Sequence, residues 1–355
     1  MQKVLIHPAT YDTVREAVDR AFALFPMNLS GKKVLLKPNV LRAATPEEAI
    51  TTHPAVLRAV VEKVAAMNPA ELIVGDNPGA VSYGANEESF EKSGLMAAAN
   101  GHSRNIANDS RGVDFDPRFL PRVSLSAAVL DADVIISLPK FKTHGLTVMT
   151  GAIKNSYGFL PGAQKARLHM LAGNPERFHD LVVEVFRLRI PDLFIMDAVV
   201  GMEGNGPASP DLREIGMILA SDNAVAMDAV AATMMGLDPG RLRFLANAAQ
   251  AGLGSWRMAD IRIDGKLEKL EDFKVPPLGG EAIRDNAVIQ EMLVSKTLLT
   301  PRPDPDRCTA CGACVEQCPA AALSIEGDLP VADMDRCVTC FCCQEICPEK
   351  AMVLA

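Results

Sequence analysis

The sequence predicts an α/β domain with a mostly parallel sheet flanked by helices, followed by a small C-terminal α+β domain. Three observations lead there. Over the first 300 residues, short apolar runs alternate with longer stretches of helical pattern. Hydrophobic residues make up 48% of the 355, ample for one large packed core plus a small second unit. All nine cysteines fall beyond residue 307, which marks the tail as a separate module.

In chain order, the expected strands are Lys3–Ile6, Lys33–Leu36, Glu71–Gly75, Asp133–Leu138, Leu193–Met196 and Gly216–Ala220, with Ile261–Gly265 as an edge strand. The helical pattern covers Asp12–Phe25, Pro54–Met67, Glu87–Ala99, Pro175–Leu188, Ala224–Met235 and Pro239–Ala251. Thr52 ahead of His53-Pro54 reads as a helix start, with proline in the first turn. Proline-rich segments at 275–280 and 301–305 bracket a helix-like stretch, Glu281–Val294. Proline spacing of this kind makes a stiff connector, expected to hold the tail at a defined distance. The domains are therefore expected at 1–274 and 305–355, with a linker over 275–304.

Polar residues gather where these strands end. The second strand runs into Lys37-Pro38-Asn39, the third into Asp76-Asn77, and the fourth into Lys140-Phe141-Lys142-Thr143-His144. The fifth ends at Asp197 and leads to Glu203, and the sixth ends in Ser221-Asp222. In a parallel α/β sheet the carboxyl ends share one rim, where ligands bind. A glycine-rich stretch, Gly151-Ala152-Ile153-Lys154-Asn155, followed by His169, adds to the same region. It matches neither GxxxxGK[ST] nor GxGxxG, so ATP and NAD have no support.

Lys37, Lys140, Lys142 and Lys154 supply positive charge suited to a carboxylate or phosphate. With Asn39, Asp76, Asn155, Asp197 and Glu203 they form the expected binding set for a small anionic molecule. His144 and His169 are the expected proton carriers, with Lys154 beside them as a catalytic candidate. Asp76, Asp197 and Asp222 offer oxygen ligands to a hard cation. Asp228, within the Ala224–Met235 helix, reads as a cap or ion-pair partner.

The tail carries two identical runs. They are Cys308-x2-Cys311-x2-Cys314-x3-Cys318-Pro319 and Cys337-x2-Cys340-x2-Cys343-x3-Cys347-Pro348, related by a shift of 29 residues. This is the bacterial ferredoxin pattern, in which three cysteines hold one cubane and the fourth crosses to the other. One [4Fe–4S] cluster is then expected on Cys308, Cys311, Cys314 and Cys347, and a second on Cys337, Cys340, Cys343 and Cys318. Zinc, which commonly takes two CxxC pairs, does not explain eight cysteines in this spacing. Cys342 is a ninth cysteine outside the pattern, read as a buried thiol. Nothing in the sequence demands a flavin, although one between pocket and clusters is compatible with it.

Formal net charge is −8, of which −5 lies beyond residue 300. An acidic chain without a basic stripe argues against nucleic-acid binding. No apolar run approaches the roughly eighteen residues of a membrane span, and residues 1–8 lack the signature of a signal peptide. A soluble, cytoplasmic protein without a membrane partner is expected.

At Lys37-Pro38-Asn39, Gly75–Gly79, Pro139–His144, Gly151–Asn155, Asp197 with Gly201–Pro207, and Cys340–Gln344, the chain resembles the domain of unknown function 362 family in its version fused to a ferredoxin module. Family members more often have tyrosine at the place of Phe341. The resemblance spans nearly the whole chain and implies an iron–sulfur protein, without fixing a reaction. The expected function is an oxidoreductase passing electrons between the clusters and an anion on the rim, with a redox protein as donor or acceptor. The alternatives are an electron-transfer module docked by the α/β domain, and clusters that serve only to fold the tail.

Overall fold

The computed structural model describes residues 1–79, 85–280, 285–295 and 299–354. Its central sheet contains the strands β1 (Gln2–Pro8), β2 (Lys33–Pro38), β3 (Glu71–Val74), β6 (Val134–Leu138), β7 (Lys140–His144), β8 (Val148–Met149), β9 (Leu193–Met202), β10 (Leu212–Ser221) and β11 (Ile261–Asp264). The strands β4 (Ser110–Asp114) and β5 (Arg122–Ser126) form a separate hairpin. Across the main sheet the order is β11-β1-β10-β9-β6-β2-β3. At Pro139 the chain steps from β6, and β7 then runs beside the outer half of β9. Pairing is parallel between β3, β2, β6 and β9, and between β1 and β11.

β10 runs antiparallel to both of its neighbours. The sheet is thus mixed but mostly parallel, and one expectation fails as a result. Ser221-Asp222, expected on the carboxyl rim, stands at the opposite edge because β10 points the other way.

Alternation along the strands builds two cores. Val4 and Ile6, Leu35, Ile135, Phe194 and Met196 face one cluster, while Leu5, Val34, Leu36, Ile136, Leu193 and Ile195 face the other. Side chains alternate with a period of two, so a sheet covered on both faces reads as unbroken apolar runs. One face is covered by α1 (Val14–Leu24), α2 (Pro54–Ala65), α3 (Ala85–Lys92) and α4 (Leu95–Ala98). The other carries α5 (Ala127–Asp131), α6 (Gly151–Asn155), α7 (Gly162–Ala172), α8 (Pro175–Leu188), α9 (Ala224–Met234) and α10 (Arg243–Gln250).

The helix expected at Glu87–Ala99 is broken by Gly94, whose φ of 72° stops α3 and starts α4. At α2 the cap is His53, with Pro54 in the first turn. Thr52 instead donates to the Leu138 carbonyl at 2.6 Å and accepts from the Asn39 amide at 2.8 Å, stitching the rim together. No helix among the described residues is long and apolar enough to cross a membrane.

The tail folds as a small α+β unit. β12 (Pro301–Pro303) pairs with β15 (Met352–Leu354), and β13 (Leu323–Glu326) with β14 (Leu329–Ala332). Two short helices, Ala313–Glu316 and Cys342–Ile346, complete it. Residues 301–303, read from sequence as linker, therefore belong to a strand of the module. Of the helix-like stretch Glu281–Val294, residues 281–284 lie outside the described residues, and Ala287–Val294 is helical.

The 29-residue repeat is visible in the backbone. Positive φ angles occur at Ala310 and Thr339, at Gly312 and Phe341, and at Ala321 and Lys350. Both halves therefore make the same turns.

Candidate functional site

Folding of the tail sorts its cysteines. Cys308, Cys311, Cys314 and Cys347 line one recess. Cys318, Cys337, Cys340 and Cys343 line another. Backbone amides point at the sulfurs: Ala322 to Cys318 at 3.3 Å, Thr339 to Cys337 at 3.4 Å and Ala351 to Cys347 at 3.3 Å. Such donors favour thiolate, the form in which cysteine binds iron. Burial pushes the Cys314 and Cys343 thiols up, and neighbouring cysteines add to it. Gathering these thiols costs free energy that bound iron offsets, so the donor set fits cluster ligation.

The module is not held off at a distance, as the stiff linker suggested. It docks directly on the carboxyl rim through the helix Cys342–Ile346 and the residue before it. Phe341 is buried in the main-domain core. Gln344 Nε2 donates to the Asn205 carbonyl at 3.0 Å, and Glu345 Oε1 lies 2.9 Å from His144 Nε2. His144 Nδ1 accepts from the amides of Leu146 and Thr147, which leaves the proton on Nε2, close to Glu345 but not in hydrogen-bond geometry with it. Burial, with Lys154 nearby, pulls His144 down to about 3, so it is a neutral docking partner.

Between rim and module lies a pocket. Of the expected site residues, Lys37, Asn39, Asp76, Lys142, Lys154, Asn155 and His169 line it, and the module contributes Cys342 and Glu345.

Lys37 and Asp76 form a buried pair at 2.7 Å. The Lys37 ammonium also reaches the Pro38 carbonyl at 2.9 Å and Asn155 Oδ1 at 3.1 Å, so all three of its protons are spent. Asp76 accepts from the amides of Val40 and Asn77 as well. A Cβ on Gly158 would collide with this pair, which is why the chain needs glycine there. Asn39 donates to the Ile50 carbonyl at 2.8 Å and holds the following loop.

Lys154 and Asn155 sit on α6, whose N-terminal amides at Ala152 and Ile153 donate to the buried Asp228 at 2.6 and 3.0 Å. Asp228 is thus a helix cap, and burial raises its carboxyl to about 7. Gly151, with φ of 66°, lets the carboxylate approach.

The remaining lysines are differently placed. Lys142 donates to the Ile50 carbonyl at 2.8 Å. Burial and the nearby Lys154 pull it down to about 7. Lys165 reaches the carbonyls of Asn77 and Pro78, and burial brings it to about 7 too. Lys154 has no hydrogen-bond acceptor among the described residues. Its ammonium lies 5.9 Å from the Tyr157 ring and 5.7 Å from the Phe178 ring, facing Glu345 and Cys342. None of the three is in ion-pair contact with a carboxylate among the described residues, so each can meet an anion when protonated, with Glu345 on the facing wall.

His169 touches the module through the Cys340 backbone, and its Nδ1 has no partner among the described residues. Burial lowers it to about 4, so it too is neutral near pH 7.

Lys140, Asp197, Glu203 and His144 were expected at the ligand and do not line the pocket. Lys140 and Asp197 pair at 2.7 Å under the stacked rings of Tyr11 and His53, and Asp197 also accepts from the His53 amide. Each cancels the other's charge in the interior. Glu203 accepts from the Lys274 amide at 3.3 Å. With Asp76 and Asp197 each held by a lysine and Asp222 on the far edge, the three carboxylates do not assemble a cation site.

Sequence reasoning missed Lys165, Tyr157 and Glu345. Lys165 comes from α7, which had too weak an amphipathic pattern to be recognised. Glu345 looked like one more acidic residue of an acidic tail, and only docking gives it partners.

Residues 34–233 match the family described as a domain of unknown function, DUF362, and residues 301–324 match a 4Fe–4S binding domain. A curated relative, the thylakoid-associated protein sll1697 of Synechocystis sp., is 35% identical over 226 residues, 63% of this chain and 69% of that protein. A crystal structure of a Thermotoga maritima protein superposes with a TM-score of 0.41 at 13% identity, covering 59% of this chain and 55% of that one. The chain is an iron–sulfur protein belonging to the DUF362 family.

Proposed function

We propose that the protein is an oxidoreductase in which a small anion, held between rim and module, exchanges electrons with two [4Fe–4S] clusters. One observation carries the reading. Cys342 lines both the rim pocket and the recess of Cys318, Cys337, Cys340 and Cys343. A molecule in the pocket would therefore share a wall with the second set of cysteines. Clusters of this type supply single electrons at low potential.

The chain's own residues account for the rest. Lys142, Lys154 and Lys165 attract the anion at a site with largely buried walls, where charge is less screened than in bulk water. The docked helix forms one of those walls through Cys342, Glu345 and Ile346. His144 and His169, expected to manage the proton, are neutral near pH 7 and poor acids there. Lys142 and Lys165, drawn to about 7 by burial, are better matched to proton transfer at that pH. Cys311 is exposed, so the first cysteine set faces the side where a redox partner protein could approach. Cysteines kept as thiolate ligands of iron suit a reducing compartment such as the cytoplasm.

The test starts from anaerobically purified protein, expected to contain about eight iron and eight sulfide per chain. Adding a small carboxylate to the reduced protein should alter its electron paramagnetic resonance signal, and Lys154→Met should abolish that response. About four iron per chain, or a signal indifferent to every anion tried, would reject the reading in favour of an electron-transfer module or of clusters that only hold the fold.

A further inference from the structure

We propose that the pocket takes a small carboxylate that carries its own hydrogen-bond donor, of the hydroxy- or amino-acid type. Its carboxylate meets Lys142 and Lys154, and its donor serves the acceptors of His169 and Asn77: a hydroxyl has one hydrogen for one of them, an ammonium enough for both. The inference rests on the anion-binding reading above and narrows it to a substrate class.

Two inventories lead here. The first is of donors. Lys142 spends one of its three N–H groups on Ile50, and Lys154 spends none on a hydrogen bond among the described residues. These are the natural contacts of a carboxylate.

The second inventory is of acceptors. Asn77 is 1% exposed and uses its amide group fully, donating to Ser126 Oγ and the Gly158 carbonyl, both at 2.9 Å. The Gly158 carbonyl, which can only accept, fixes which end of the side chain is nitrogen. Its Oδ1 is then an acceptor with no partner among the described residues. His169 is 5% exposed, and its Nδ1 is likewise unpartnered. Both residues line the pocket.

A bare carboxylate offers these atoms no hydrogen and would leave both unsatisfied. A buried acceptor left without a hydrogen costs the full desolvation of that group. A hydroxyl on the ligand satisfies one of the two and an ammonium both, and sites built this way reject the analogue lacking the donor. Phosphate is the poorer candidate. Phosphate sites commonly use the free amides of a helix N-terminus, and those of α6 are already taken by Asp228.

Acetate, glycolate and glycine share one carbon frame and differ in whether they carry hydrogen, hydroxyl or ammonium. Calorimetric titration of the cluster-loaded full chain under anaerobic conditions should give glycolate or glycine at least tenfold tighter binding than acetate. His169→Phe should shrink that ratio while leaving acetate binding in place, with the melting temperature as a control for folding. Equal affinity for all three in the unmodified protein overturns the donor requirement but spares the anion reading. Inorganic phosphate binding more tightly than all three overturns the carboxylate assignment. Failure of all four to bind overturns both.

Discussion

Lysine 142 and lysine 165 show how one residue type serves opposite ends in one interior. Lys37 and Lys140 each keep a carboxylate at 2.7 Å, and removing one partner from such a buried pair typically costs 3–5 kcal/mol, roughly. Lys142 and Lys165 have only carbonyl partners, and burial draws both to about 7. The consequence for pH has two signs. Anion affinity should be high below pH 7 and fall as pH rises through it, because the ammonium charge is lost. Ligand-free stability should move the other way. Unfolded lysine keeps its proton to about pH 10.5 while these two shed theirs near 7, so the unfolded chain binds more protons in between and stability rises with pH there. Titrating glycolate calorimetrically at about pH 6 and about pH 8.5, beside urea melts at both, checks this; roughly tenfold weaker binding at the higher pH is expected. Loss of both affinity and stability would instead point to unfolding.

Among the elements, the helix Cys342–Ile346 joins the two units. Its cap, Phe341, has φ of 59°, where its repeat mate Gly312 has 78°. A left-handed phenylalanine costs about 1–2 kcal/mol, and the strain is tolerated because the ring is 3% exposed in the main-domain core. Phe341→Gly relieves the backbone but removes the anchor. Losing a buried phenylalanine costs about 3–5 kcal/mol, which outweighs the relief. The module of this variant should be released by brief proteolysis within residues 275–300 under conditions where the parent chain stays whole. Equal resistance in the two proteins would show that the ring does not hold the dock.

On the scale of the whole molecule, docking ties the stability of the main domain to the state of the tail. The contacts are Phe341 in the core, Gln344 on Asn205, Glu345 against His144, and Lys350 at 3.8 Å from Glu48. A ligand that binds only the folded state stabilises whatever folds with it. Cluster-loaded protein should therefore melt in a single calorimetric transition, and stripping the iron with a chelator should lower the melting temperature of the α/β domain as well. A main-domain transition that stays at its original temperature after stripping would mean the two units fold independently.

Local covalent pattern was enough to read the iron–sulfur module and seven strands of the central sheet, but not β7, β8 or the β4–β5 hairpin. Thiolate spacing along a few residues dictates what can wrap a cube, and apolar runs dictate what must be buried. The partition of the lysines could not be read this way. Whether Lys140 or Lys142 gets a carboxylate depends on Asp197 arriving from a strand more than fifty residues away, and on β10 running antiparallel, which carried Asp222 off the rim. The docking of Glu345 on His144 likewise joins residues about two hundred positions apart. Sequence alone determined which groups this protein has for its chemistry. Tertiary packing decided which of them are neutralised in pairs and which are left to face a ligand, because charge and hydrogen bonds are satisfied by neighbours in space.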